Sequence, residues 1–335
     1  MTTYPQIKGL RVKYLSADPS GAENGQVWYN STTGNLRIKG IQGTGAWSSG
    51  GNYPVPIQSG AGFGTQTAGV VAGGTPPGPV GLKTFEYDGS SWTAGNDMAR
   101  ASGSPYTSAY TAGGGTLTAG WAAGGGYPTA NALTENYNGT NWTASAAMPS
   151  SRRGGNVSGP QTAGLYFAGV APGGPPAPVQ ASTFEYDGEG WTAGGNLNTA
   201  RTNAGSTGPT GSQTAALCFG GNAPSQTSNN EEYNGTAWTE VTNYPSGLSY
   251  LGYAGTQTAC IGFNGYPGGP GVTAKSYDGT NWSSIPSLSV ARLNYHQNGG
   301  TANAAFVAGG EGTSGLVNAT EEFTIPVETK NLSTS

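Results

Sequence analysis

One short motif constrains this chain more than any other feature: a tyrosine, then aspartate or asparagine, glycine, two further residues, and tryptophan. It occurs in full at Tyr87-Asp88-Gly89-Ser90-Ser91-Trp92, Tyr137-Asn138-Gly139-Thr140-Asn141-Trp142, Tyr186-Asp187-Gly188-Glu189-Gly190-Trp191, Tyr233-Asn234-Gly235-Thr236-Ala237-Trp238 and Tyr277-Asp278-Gly279-Thr280-Asn281-Trp282. The tyrosines follow one another at intervals of 50, 49, 47 and 44 residues. Each copy reads as a strand ending at tyrosine, a tight turn with positive φ at Asp/Asn-Gly, and a strand starting at tryptophan. A period of this length is that of a four-stranded propeller blade.

Two incomplete copies complete each other. Gly45-Ala46-Trp47-Ser48 has only the tryptophan half, 45 residues before Trp92, and Glu321-Glu322-Phe323-Thr324 has only the tyrosine half, 46 residues after Tyr277. An N-terminal strand around Trp47 that pairs beside Phe323 would close the ring and remove its free edges. A second pattern gives an independent count. Segments such as Thr65-Gln66-Thr67-Ala68, Gln213-Thr214-Ala215 and Thr256-Gln257-Thr258-Ala259 each lead through an apolar run to one or two glycines, six times in all. The expectation is an all-β, six-bladed propeller over residues 41–325, with a segment at 1–40 before it and a tail at 326–335 after it.

Composition supports a repeat fold over a disordered chain. Glycine and proline make up 82 of 335 residues, which alone approaches the disordered range, but 8 tryptophans and 18 tyrosines at regular spacing supply the packing that glycine-rich strands lack. Charge is split: residues 1–40 carry five basic side chains (Lys8, Arg11, Lys13, Arg37, Lys39) against Asp18 and Glu23, whereas the rest has eight basic and fifteen acidic. An acidic propeller argues against a nucleic-acid partner. No apolar run is long enough for a membrane span, and no signal-peptide core is present, so neither membrane insertion nor classical secretion is expected. Cys218 and Cys260 lie in apolar strand-like runs and read as buried free thiols.

Within residues 1–40, Gly25-Gln26-Val27-Trp28-Tyr29-Asn30 and Asn35-Leu36-Arg37-Ile38-Lys39 flank Ser31-Thr32-Thr33-Gly34, a hairpin signal. So few strands are marginal alone, so the hairpin should lean on the propeller rim or on another chain. Lys8, Arg11, Lys13, Trp28, Tyr29 and Arg37 are the candidate anchoring residues.

Chemistry-bearing patterns are scarce. Asp88, Asp187 and Asp278 alternate with Asn138 and Asn234 before glycine, which is turn chemistry rather than a set of catalytic acids. Arg100, Arg152, Arg201 and Arg292 occupy equivalent places on separate blades, where each should pack on an aromatic ring or cap carbonyls. His296 is the only histidine, too few for a metal ligand set, and no phosphate-binding glycine motif is present. No cofactor, metal or catalytic residue is expected. The loops between the second and third strands are long and proline-rich, and Pro76, Tyr127, Pro175, Pro224, Tyr266 and Thr313 mark them. They are either binding loops or stiff spacers.

Glycines after an apolar strand, then Tyr87, Trp92 and Arg100, and the same order in most other repeats, resemble the kelch repeat. Leu248 departs from it in the arginine position. The recurrent Thr-Gln-Thr-Ala and Tyr-Asp-Gly-Thr-x-Trp, with Gly25-Gln26-Val27-Trp28-Tyr29-Asn30, resemble repeat proteins of tailed-bacteriophage virions, cyanophage-like ones especially. That resemblance implies a non-enzymatic virion structural protein, bound to other virion proteins through its N-terminal segment and displaying its propeller toward a host-surface glycan or receptor. Two alternatives stay open: a carbohydrate-binding propeller, with Tyr127 and Tyr266 stacking on sugars, and a glycosidase or lyase.

Overall fold

The computed structural model describes residues 12–23, 25–41, 43–75, 81–100, 108–173, 178–294 and 296–331. Lys8, Arg11, Pro76 and Pro175 lie outside them. Strands are the only regular secondary structure among the described residues, and the chain divides into two compact units, Ala46–Thr324 and a smaller one joining Met1–Gly45 to Ile325–Ser335.

The larger unit is a six-bladed propeller of four-stranded antiparallel sheets. Blade 1 comprises Ala61–Thr65, Ala68–Ala72, Thr84–Tyr87 and Trp92–Ala94, and the next four blades repeat that order from channel to rim. Blade 6 is built from Asn298–Thr301, Ala304–Ala308 and Thr320–Thr324, with Ala46–Ser49 from the other end of the chain as its outermost strand. In that pairing Phe323 stands opposite Trp47, the register that the tyrosines hold with the tryptophans in the other five blades. The innermost strands touch in sequence around the ring, and Asn298–Thr301 closes it against Ala61–Thr65.

The expected turn differs in one respect. Only the glycine takes positive φ (Gly89 at 93°, Gly139 at 89°), while the preceding Asp or Asn accepts hydrogen bonds from the amides two and three residues on. A carboxylate and an amide oxygen serve equally as acceptor there, which is why the two residues interchange. These bonds, the backbone N–H of Ser91 foremost, hold the Asp88 carboxyl below the usual range.

The repeated aromatics lock each blade to the one before it. Trp238 packs at 4.8 Å from Phe167 and donates its indole N–H to Thr183 Oγ1 at 2.9 Å, both in blade 3; Trp142 makes the same bond to Thr84, and Trp92 to Thr320. The tyrosine hydroxyls reach across too, Tyr233 to Glu185, Tyr277 to Glu232 and Tyr87 to Glu322. Burial raises Tyr233 to about 12, with the bond to Glu185 adding to it, so the hydroxyl stays a donor. The blade 5 to blade 6 junction lacks both bonds. Blade 5 has Ala274 and Ser276 where the others have threonine (Asn230 in blade 4) and an acidic or amide residue, and blade 6 correspondingly carries Phe323, which has no hydroxyl to donate.

The recurrent glutamine has the same duty. The side-chain amide of Gln213 donates to Gly164 O and Tyr186 O of blade 3, that of Gln257 to Ala216 O and Tyr233 O of blade 4, and that of Gln66 to Ala305 O and Phe323 O of blade 6. Each thus supplies a donor to strands of the preceding blade that already pair with each other.

Trp238 is 5% exposed whereas Trp191 is only half-buried. Trp238→Ala is therefore expected to destabilise by about 3 to 5 kcal/mol, and Trp191→Ala by less. Chemical denaturation of the two variants ranks them; equal losses below about 1 kcal/mol would remove the tryptophans from the interblade core.

The smaller unit is a four-stranded sheet in the order Lys13–Leu15, Val27–Asn30, Asn35–Ile41, Val327–Asn331. The hairpin is as the sequence predicts, with Gly34 at φ 71°. The last strand adds something short-range signals do not contain: residues 327–331 pair antiparallel with 37–41.

Candidate functional site

The antiparallel order sets the two ends of the propeller apart. Asp/Asn-Gly turns and first-to-second-strand turns occupy one end; second-to-third-strand loops and the connections between blades occupy the other. The chain enters and leaves the propeller at the turn end, where Ala46 and Thr324 are cross-strand partners.

At the loop end the connecting segments form a ring of backbone hydrogen bonds around the channel mouth. Tyr110 N donates to Ser59 O (2.8 Å), Gly154 N to Tyr110 O (3.2 Å), Asn203 N to Gly154 O (2.9 Å), Tyr250 N to Asn203 O (2.8 Å) and Asn294 N to Tyr250 O (3.0 Å). Gln297 Oε1 accepts from Ser59 N at 3.1 Å. Five of these residues have positive φ: Ser59 at 65°, Tyr110 at 59°, Gly154 at 58°, Asn203 at 54° and Tyr250 at 58°. The turn reverses the chain so that each residue offers its N–H to one neighbour and its C=O to the other.

Above the ring lies a cavity of about 140 Å³ lined by Tyr110, Tyr127, Arg153, Thr202, Asn203 and Tyr250. The Tyr127 ring, half exposed, lies 6.2 Å from that of Tyr110, and the Arg153 guanidinium sits 5.1 Å over it while donating to Pro128 O at 2.8 Å. On the other side Tyr266 meets Tyr250 edge-on at 6.4 Å, and Gln226 donates to Tyr266 O. Of the loop residues singled out from sequence, Tyr127 thus lines the cavity and Tyr266 flanks it. Pro224 is exposed on the blade 4 loop, and Thr313 lies in the turn between Glu311–Gly312 and Gly315–Leu316.

The opposite end is plugged. The loop between the first two strands of blade 4 folds across the channel: Gly208 O accepts from Gly159 N of blade 3, and Thr210 Oγ1 donates to Gly300 O of blade 6 at 2.7 Å. Inside, Tyr253 OH and His296 Nδ1 share a hydrogen bond of 2.9 Å, both residues buried.

Burial lowers His296 to about 4, so its ring is neutral at pH 7. Because the folded state resists the proton that the unfolded chain takes up near pH 6.5, stability is full above that pH. It falls by roughly 3 kcal/mol as pH drops from 6.5 to 4. His296→Asn should remove that part of the pH dependence of urea unfolding; an unchanged slope would mean that other groups carry it.

The four repeat-equivalent arginines do not converge. Arg100, Arg201 and Arg292 each form a buried ion pair with a glutamate of the next blade, Glu135, Glu231 and Glu321 respectively. Arg152 instead lies 5.7 Å over Phe184, which occupies the glutamate position in blade 3. Carbonyls complete the shell, Gly309 O and Ala319 O for Arg292. Ring packing and carbonyl capping are thus both present, and the ion pairs are what sequence inspection misses.

No protein family matches the chain, and no curated protein does. Among solved structures it is similar to that of YjhT, with a TM-score of 0.66 and 15% identity, covering 85% of this chain and 100% of that chain. At that identity the likeness is one of fold, and the shared fold is a β-propeller.

The candidate anchoring residues fall into two groups. Trp28 is the buried centre of the small unit, donating to Asp18 Oδ1 at 2.9 Å, and Arg37 pairs with the same carboxylate at 2.5 Å. Hydrogen bonds from Asn30 and Trp28 hold Asp18 below its ordinary pKa. Lys13 is exposed, and Tyr29 stacks at 4.8 Å on Tyr14, which is 74% exposed. Cys218 and Cys260 are free and buried, and burial pushes the Cys218 thiol up to about 12.

Proposed function

We propose that the chain is a non-enzymatic structural protein of a tailed-bacteriophage virion, with kelch-like blades. Its small unit anchors it to other virion proteins, and its propeller presents the loop end to the host surface. The observation that carries this reading is the division of labour in the fold. Strands from residues 13–41 and 327–331 form one small sheet, and both crossings leave the propeller at the turn end, away from the mouth cavity. Lys13, Tyr14 and Tyr29 are the contacts the small unit offers.

The absence of catalysis is part of the proposal and has its own support. The repeated acids have structural partners: Glu135, Glu231 and Glu321 in ion pairs, Glu86, Glu185, Glu232 and Glu322 on tyrosine hydroxyls. Asp97, outside the repeat pattern, is bound by Lys83 at 2.9 Å.

The test is to purify particles from the source and ask by mass spectrometry whether the chain is a stoichiometric component. A recombinant chain with Lys13→Glu and Tyr14→Ala should then fail to occupy particles lacking the native protein. Absence of the chain from intact particles would reject the reading.

A further inference from the structure

Tyr110 and Tyr250 hold a conformation that their residue type disfavours. Bulky residues rarely adopt positive φ, and such strain persists mostly where the side chain has work to do. The ring itself has no need of them, since Gly154 fills an equivalent place at φ 58° with the same hydrogen-bond pattern. What the two tyrosines add is their side chains, and both line the mouth cavity.

We propose that this cavity binds a single uncharged sugar ring, the terminal pyranose of a glycan. A pyranose has an apolar C–H face and a rim of hydroxyls that both donate and accept. Tyr127 and the strained pair supply apolar surface for the first. For the second, Arg153 keeps N–H donors beyond the one given to Pro128 O, and the Asn203 amide, which makes no hydrogen bond among the described residues, offers donor and acceptor together. The volume of about 140 Å³ is enough for one ring.

Charge decides the kind of sugar. Residues 41–335 carry fifteen acidic and eight basic side chains, and three of the arginines are sealed in ion pairs. The Arg153 guanidinium already lies on Tyr127. Arg153 is the one charged side chain among the described residues lining the cavity, and the net negative charge of the propeller around it favours a neutral ring over a uronic acid. This inference needs only the propeller and stands whether or not the chain resides in a virion.

The experiment titrates the full-length protein with methyl glucoside, methyl galactoside, methyl mannoside and the corresponding uronates, followed by ligand-observed NMR. At least one neutral glycoside should bind with a Kd on the order of 1 mM, as a ring of about a dozen heavy atoms does at modest ligand efficiency. Tyr127→Ala and Asn203→Ala should weaken it about tenfold or more. Tyr250→Gly should lose binding while its thermal midpoint holds or rises, because glycine suits φ 58°. Binding of uronates alone, or of no glycoside up to about 50 mM, overturns the proposal. So does a Tyr250→Gly protein that unfolds earlier, together with a Tyr127→Ala protein that binds like the wild type.

Discussion

Deletion of residues 1–49 is expected to yield a protein that aggregates on refolding, although it leaves five complete blades. The loss strips the outer strand from blade 6 and exposes the backbone of Thr320–Thr324 as a free edge able to pair with another chain. It also removes Trp47, which lies 5.0 Å from Phe263 of blade 5 and 5.3 Å from Phe323, so two blades lose cover at once. The large-to-small part alone is about 3 to 5 kcal/mol, a large share of a domain's net stability. The control removes residues 1–40 and 326–335 and keeps the closing strand; that chain should remain folded. Size-exclusion chromatography and thermal unfolding of both separate the outcomes. A 1–49 deletion that stays monodisperse with an unchanged midpoint would mean the ring needs no closing strand.

Glu231→Ala should destabilise by about 3 to 5 kcal/mol, because it leaves the Arg201 guanidinium buried without a counter-charge. Both side chains are 0% exposed, and Glu231 also accepts from the backbone amides of Asn198 and Thr199. The chain contains its own control. At the corresponding junction between blades 6 and 1, Ile57 and Phe85 take the two positions and share an apolar cluster. Arg201→Ile combined with Glu231→Phe should therefore recover about half or more of the loss, since apolar replacement of a buried pair is often close to neutral. Denaturant midpoints of the single and double variants measure this. A double variant worse than the single would show that the ion pair contributes more than its removal of a stranded charge explains.

The repeat was legible in sequence because each copy performs one task. Tyrosine, glycine and tryptophan recur wherever a blade must turn and then grip its predecessor, and the halves at Trp47 and Phe323 betray the closure. Partners between blades were not legible. Arg201 finds Glu231 thirty residues on, Arg152 finds Phe184, and Leu248 replaces arginine where blade 5 has Lys275, so the rule shows only once neighbours are known. The mouth cavity was partly legible. Tyr127 and Tyr266 stood out on proline-rich loops, but Tyr110, Gly154, Asn203 and Tyr250 share a backbone conformation rather than a residue type. Pairing of 327–331 with 37–41 spans nearly the whole chain, and no local pattern encodes it.

The measurement that bears most directly on the account is a cryo-electron microscopy map of the source particle at a resolution that traces side chains. The account predicts a closed six-bladed ring with the small unit, Lys13 and Tyr14 included, against neighbouring subunits, and with Tyr127 and Tyr266 facing solvent. Particles without this chain, or a chain attached through its mouth cavity, would contradict it.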